Sequence, residues 1–466
     1  MTDSQIAPRG PHRMTMSESI ARVLTGPPHP ELDFIQDRVS YGDLYGLAEA
    51  ICRDLPSGCR AVCLCTEDRA VAAASLLAAL AAGFTLVLPQ ADSARAAAEA
   101  CLRLDVSVAV TDRPRDLPAG VVPLIPGAAQ APRRGLRPAI GPDAPFLKFF
   151  TGGSTGAPGI WSKTPRNLFA EALFHAERYG FGPEDRILAT VSPLHIYGFL
   201  YTVLIPLVAS SAVVAGTCTF PEEIRGALVR HVPTVFVSVP VHYRVLNGTR
   251  IPGASLRLAL SSAGRLDPSD GLHFKRETGV GVTEIYGSTE TGGIADRRPA
   301  DGDAALRAFD IVDWRIAEER LCVRSPFISP EIETAPDGFF TTGDRAAAAG
   351  PDRFMLLGRA DGVVKVGGNR VDLEVVRDAL KGIIGVEEAV VLAVAGESGR
   401  ENELYAVIQG EIDPEGLRRA ALERIEPHAL PRRMRIVDRI PVSSSGKYEK
   451  NVLLGLFTDE NRGITD

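Results

Sequence analysis

The side chains best placed to do chemistry sit in a few short polar stretches, and the densest is FFTGGSTGAPGIWSK, residues 149–163. It holds four glycines, two threonines and two serines, after an apolar strand-like run at 145–150 and before a helix-like run at 165–179. Such a loop is rich in backbone N–H groups and hydroxyls, which is how a chain cradles phosphate oxygens. A plain surface turn has the same composition, since Gly and Ser punctuate loops generally. The Gly-Lys-Ser/Thr ending of a P-loop kinase is absent. A second stretch of small residues, EIYGSTETGGI at 284–294, reads as another loop.

Composition limits what these loops can serve. A chain of 466 residues holds roughly two to four domains and buries a sizeable core. Its 45% apolar and 23% charged residues are ordinary globular values, and a net charge of −7 gives no footprint for nucleic acid or an anionic lipid surface. The seven cysteines are scattered and free of C-x-x-C pairs, which fits a reducing, cytoplasmic setting. Residues 1–20 carry no apolar core after their basic residues and read as a mobile tail, not a secretory signal. Two long uncharged runs, 70–90 and 187–221, are broken by Gly83 and by His195, Gly198, Pro206 and Gly216. They parse as buried strands and helices, with no membrane span.

The elements that must position the loops alternate. Helices are expected at 41–55, 69–82, 93–104, 165–179, 196–209, 221–231 and 267–278. Strands are expected at 60–65, 85–88, 106–111, 145–150, 187–192, 212–215, 234–237 and 256–261. This order predicts an α/β fold with mostly parallel, doubly covered strands, interrupted by an irregular connection at 113–144. Short alternating strands at 303–357 suggest a small β subdomain within a large N-terminal unit of layered α/β sheets, residues 1–358. Residues 359–466 form an α+β C-terminal unit.

Five motifs then occur in series: TGGSTGAPG at 151–159, YGSTE at 286–290, TTGD at 341–344, GRADGVVKVGGNRV at 358–371 and PVSSSGK at 441–447. Their order and approximate spacing resemble the adenylate-forming (AMP-binding) superfamily, which comprises acyl- and aryl-CoA synthetases, luciferases and peptide-synthetase adenylation domains. The likeness runs from SYGDLYGLAEAI at 40–51 to the last lysine loop, and is nearest to a compact, stand-alone CoA synthetase. It implies ATP and Mg2+ as cofactors and a chemistry in which two anions, a carboxylate and the α-phosphate, are brought together by positive charge and oriented N–H groups. By that resemblance Thr151, Gly152, Gly153, Ser154, Thr155 and Gly156 hold the β- and γ-phosphates. Gly287, Ser288 and Thr289 form the turn before Glu290, the implied magnesium ligand. Tyr286 lies against the adenine, Gly264 approaches the ring and acyl channel, and Asp344 and Arg359 contact the ribose. Lys447 bridges substrate carboxylate and α-phosphate. Asp361 is the implied hinge of a mobile C-terminal lid, whose rotation brings Lys365, Gly367 and Gly368 to the site so that a pantetheine arm passes close to the backbone.

The chain also departs from the family pattern. Gly159 stands where a lysine follows the loop proline, so a cation near the γ-phosphate is missing; either Lys163 substitutes if the loop bends, or pyrophosphate stabilisation is weaker. In SPLHIYGF, residues 192–199, no aspartate is present to pair with an amino-acid ammonium. His195, Ile196 and Tyr197 occupy the segment, and His195 is either a candidate catalytic residue that gates the pocket or a satisfied buried histidine. The implied function is activation of an uncharged aryl or aliphatic carboxylic acid as acyl-AMP, then transfer to CoA or to a separate acyl carrier protein. Loading of a dedicated carrier alone, or a degenerate nucleotide-binding regulator, are the alternatives.

Overall fold

Strands such as Val235–Ser238 and Leu258–Ser261 are buried along their whole length, as continuous apolar runs are when a parallel sheet is covered on both faces. A computed structural model describes residues 15–127, 136–151, 159–251, 255–366, 369–395, 402–443 and 447–457. Among these, the two strands pair in parallel with Arg186–Ala189 and with the start of Val282–Ser288 in the middle of a 13-stranded sheet. One side of that sheet turns antiparallel through Gly292–Arg297, Leu306–Ala308 and Arg353–Arg359. It ends in Phe340–Ala348, Arg320–Arg324 and Asp313–Ala317. The expected small β subdomain is thus a continuation of the large sheet.

A six-stranded sheet carries the phosphate-loop candidate. Leu147–Thr151 runs parallel to Thr85–Leu88 and antiparallel to Gly159–Lys163, with Thr151 opposite Gly159. The loop therefore connects two strands of one hairpin.

Helix Arg69–Ala82 packs in the core shared by the two sheets. Asp68 caps it through the Val71 amide and Gly83 ends it in the left-handed region. Its Ala-rich surface admits close neighbours on all sides, and Arg69, at 2% exposure, is buried with it. That guanidinium donates to the carbonyls of Val214 at 3.1 Å, Ala189 at 3.2 Å and Val191 at 3.4 Å, and to Gly216. These carbonyls lie at or just beyond strand ends, so one side chain ties the helix of the six-stranded sheet to the large sheet. Burial lowers its pKa to about 10, and it remains charged at neutral pH.

The C-terminal unit has its own apolar core, with Leu380, Ala389, Leu404, Ala406, Leu417 and Ala421 at its centre. Helices Leu373–Lys381 and Pro414–Arg424 contribute to it beside a three-stranded sheet of Val386–Ala395, Asn402–Gly410 and Arg433–Val437. This is the α+β arrangement expected from the sequence.

Three expectations change. Residues 284–294 are not a loop but most of a hairpin between Val282–Ser288 and Gly292–Arg297. Its glycines permit the close approach: a Cβ on Gly287 would lie 2.3 Å from the Gly292 carbonyl oxygen. The N-terminal stretch contains helix Met16–Thr25, started by a Thr15–Glu18 capping box and holding Ile20 and Leu24 in the core. Residues 1–14 lie outside the described residues. The connection at 113–144 includes a short strand, Val122–Leu124, parallel to Val108–Val110. No helix of the described residues is long and apolar enough to cross a membrane, and all seven cysteines are unpaired.

Candidate active site

The carboxyl ends of the parallel strands open onto a cavity of about 680 Å³, the crevice where open α/β sheets bind ligands. Its walls come from Phe149 to Thr151, Thr190 to Ser192, Leu194 to Gly198, Ser262 and Ala263, and Gly287 to Thr289. Lys447 closes it from the C-terminal unit. Of the residues expected from the sequence, Thr151, His195, Gly287, Ser288, Thr289 and Lys447 thus share one cavity.

The SPLHIYGF segment turns back on itself to form one wall. A Cβ on Gly198 would fall 2.0 Å from the Ser192 carbonyl oxygen, so only glycine allows the helix to start so close to the preceding strand end. The helix runs from Ile196–Phe199 through a π-helical turn, Leu200–Leu204, into Ile205–Ala209. Such turns often occur at functional sites. Tyr201, on this turn, also lines the cavity and meets His175 Nδ1 through its hydroxyl at 3.0 Å.

His195 faces the cavity with its Nε2 enclosed and without a hydrogen-bond partner. Burial, aided by the nearby Lys447 charge, lowers its pKa to about 4. It is neutral at physiological pH and so cannot serve as a fixed cation for phosphate. Thr190 bonds Ser238 and His242 Nδ1, each at 2.7 Å, and His242 is likewise lowered to about 4, chiefly by burial.

His175 is fully buried, and burial lowers its pKa to about 3. Its unfolded value is about 6.5, so below that pH the unfolded chain takes up a proton that the native chain refuses. The neutral site's contribution to stability is complete above about pH 6.5 and is lost as pH falls toward 3, at about 1.4 kcal/mol per pH unit in between. The melting temperature is therefore expected to fall between pH 7 and pH 4, with a shallower fall in His175→Gln. Identical pH profiles for the two proteins would contradict this.

Tyr286, Asp344 and Arg359 also come together, but outside the cavity lining. The Tyr286 hydroxyl donates to Asp344 Oδ2 at 2.5 Å, and Arg359 lies 3.9 Å from Oδ1. Each carboxylate oxygen keeps a lone pair for a sugar hydroxyl. Gly264 sits in an exposed turn after strand Leu258–Ser261, next to Ala263, whose φ is +68°. Glu290 follows Ser288 and Thr289 in the hairpin turn and is half-buried. Among the described residues no cluster of three metal-ligating side chains exists. A single carboxylate fits a magnesium ion carried by phosphates and water, which needs no protein cage.

Gly152, Gly153, Ser154, Thr155, Gly156, Gly367 and Gly368 lie outside the described residues. Asp361 falls in the short 3-10 helix Ala360–Gly362 and Lys365 on strand Val363–Val366, opposite Arg370. That strand contributes no described residue to the cavity, whereas Lys447 does.

The expectation for Lys163 is overturned. Its ammonium is fully buried and bonds the carbonyls of Phe327 at 2.7 Å and Glu290 at 3.4 Å. It lies beneath the Glu290 turn and does not replace a cation in the phosphate loop. Nor is there free space at Gly159, where a Cβ would meet Thr151 Oγ1 at 3.0 Å and Trp161 Nε1 at 3.2 Å. Four further residues, Thr190, Tyr201, Glu171 and His175, line the cavity without belonging to any motif read from the sequence. The last two are four apart on helix Pro165–Tyr179, a spacing that puts them on one face.

Comparison with known proteins agrees with this geometry. Sulfoacetate–CoA ligase of Cupriavidus necator is 28% identical over 381 residues, 75% of this chain and 74% of that protein. The crystal structure of ATP-bound MatB from Rhodopseudomonas palustris superposes with a TM-score of 0.80 at 22% identity, covering 95% of this chain and 99% of that one. A benzoate CoA ligase from Burkholderia xenovorans LB400 does so with a TM-score of 0.77 at 19% identity, covering 95% and 100%. Residues 21–321 match the family model described as AMP-binding enzyme, and the chain belongs to that adenylate-forming family.

Proposed function

We propose that this protein uses ATP to activate a carboxylic acid as an acyl adenylate and then passes the acyl group to a pantetheine thiol. The observation that supports this most is the convergence of Lys447, the Thr151 end of the phosphate loop and the 192–199 wall on one cavity. In the first step a carboxylate oxygen attacks the α-phosphorus and pyrophosphate leaves. The Lys447 ammonium offsets the charge gathering between the two anions. Thr151 and the loop after it hold the departing phosphates, and Asp344 takes ribose hydroxyls. A magnesium ion bound at Glu290 would neutralise part of the pyrophosphate charge. In the second step the thiolate attacks the acyl carbonyl and AMP leaves. The C-terminal unit turns about Asp361 between the steps, withdrawing Lys447 and bringing Lys365, Gly367 and Gly368 to the thiol channel.

The acid we infer is uncharged apart from its reacting carboxylate. Among the described residues, Arg95, Lys447 and Lys450 are the lysines and arginines lining the cavity, and all three are exposed. The inner wall offers Val191, Leu194, Tyr197, Leu200 and the neutral His195, which suits an aryl or aliphatic chain. A second anion would find no lysine or arginine among the described residues of that inner wall. The test is acid-dependent AMP release with aryl and aliphatic acids, measured with CoA and with a holo acyl carrier protein. Turnover with either acceptor supports the reading and identifies the acceptor. A preference for dicarboxylic or sulfonated acids would contradict the inferred substrate class.

A further inference from the structure

Directly beneath the Glu290 turn lies a buried pair of ionisable side chains that the proposed chemistry does not use. Lys163 ends strand Gly159–Lys163, which leaves the phosphate loop, and Glu171 sits on the helix that follows. Both are buried. Besides the Lys163 bond, the Glu290 carbonyl accepts the Ser329 amide at 2.8 Å. Glu171 Oε1 accepts the Gly293 amide at 2.7 Å. Between these anchors Gly292 has a φ of +68°, and a Cβ there would lie 2.6 Å from Phe327 Cβ and within 3.0 Å of both Glu171 oxygens. The turn carrying Glu290 is therefore seated directly on these two ionisable side chains. It is held at its middle by one and at its far end by the other.

A lysine in this place is costly. Burial lowers its pKa to about 8 against the opposing pull of Glu171, Glu290 and Glu331. Burial raises the Glu171 pKa, and the Lys163 charge and the Gly293 amide only partly offset that. Buried ionisable side chains are poor contributors to stability, so packing alone does not call for these two. What the pair's hydrogen bonds do is fix the backbone on which Glu290 stands, relative to the strand that leaves the phosphate loop.

We propose that Lys163 and Glu171 are positioning residues that lock the Glu290 turn to the exit strand of the phosphate loop, so that the Glu290 carboxylate meets the metal ion of a bound nucleotide. This rests on the reading of Glu290 as the residue serving magnesium-bound ATP. Lys163 lies behind the cavity wall, whereas Glu171 also lines the cavity.

The test is the affinity of the full-length protein for α,β-methylene-ATP, by calorimetry, with Mg2+ and with EDTA. In the native protein Mg2+ is expected to strengthen binding, and in Glu290→Ala that gain disappears. The double variant Lys163→Met/Glu171→Gln leaves no lone buried charge behind. It is expected to lose about tenfold of the gain, the scale of a charged hydrogen bond, a larger change than any in its affinity in EDTA. Lys163→Gln, which keeps a donor, is expected to recover part of it. If the double variant keeps the full gain while Glu290→Ala loses it, the positioning role is overturned and the reading of Glu290 stands. If Glu290→Ala also keeps the gain, both fall.

Discussion

Lys447→Ala is expected to slow acyl-adenylate formation by about 10²–10³-fold, the usual cost of removing one preorganised charge-stabilising group from a reacting centre. Lys447 is exposed and lines the cavity, and its charge is felt at His195. Its backbone closes a loop on Ser443, with the Ser443 amide donating to the Lys447 carbonyl at 2.8 Å and the Lys447 amide to Ser443 Oγ at 3.2 Å. The alanine variant keeps both backbone bonds, so its loss reports the ammonium and not a collapsed loop. Thioester formation from chemically prepared acyl adenylate is expected to stay near the native rate. Lys450 also lines the cavity and is exposed, which makes Lys450→Ala the control for register. A larger loss in Lys450→Ala than in Lys447→Ala would move the role three residues along the chain.

The second large effect is expected at Glu388, which no motif marks. It sits on strand Val386–Ala395 of the C-terminal unit, 1% exposed. It is paired with Arg377 at 3.0 Å and Lys381 at 3.5 Å in its own unit, and with Arg244 of helix Pro240–Val245 at 2.7 Å. Burial alone would raise its pKa, but the charges of Arg377, Arg244 and Lys381 together hold it below the ordinary carboxylate value. Arg244 reaches Asp270 as well, and Lys381 reaches Asp267 at 3.5 Å. This network joins the C-terminal unit to the core in the arrangement that puts Lys447 at the cavity. Glu388→Ala removes the buried carboxylate that three cations share, and breaking a buried pair costs about 3–5 kcal/mol. Adenylation is expected to fall together with the melting temperature. Arg244→Met removes only the partner on the core side. It is expected to slow adenylation while sparing thioester formation from preformed adenylate. Equal losses in both half-reactions would show that the network does not select one arrangement.

Much of the core architecture is legible in the sequence because the signals are local. Helix Pro165–Tyr179 begins at a Thr164 cap with Pro165 behind it and ends at Gly180 in the left-handed region, so both its ends are written in a few adjacent residues. Strands such as Val235–Ser238 announce themselves as short apolar runs between turn residues. The 284–294 stretch misleads because glycine marks turns by default, yet here it admits a neighbouring backbone. The capping box at Thr15 and Glu18 is just as local, but it lies in a polar stretch whose composition reads as a tail.

A residue's place at the site is legible where it lies in a motif, and illegible where it depends on distant partners. Thr151, His195 and Lys447 line one cavity. Lys163 reads as a loop cation, because nothing near it in sequence reveals that the Glu290 and Phe327 carbonyls lie over it, 127 and 164 residues away. Arg69 and Glu388 are unreadable for the same reason. The partners that matter most, strand-end carbonyls for Arg69 and Arg244 on a helix of the other unit for Glu388, are brought close only by the fold.

Activation of a carboxylic acid at the α-phosphate of ATP is tested most directly by acid-dependent exchange of labelled pyrophosphate into ATP, across aryl, short-chain and medium-chain acids. The expected result is exchange with at least one uncharged-tail acid, none without acid, and loss of the signal in Lys447→Ala. Binding of ATP with no exchange for any acid would contradict it, and would leave a nucleotide-binding protein without the ligase reaction.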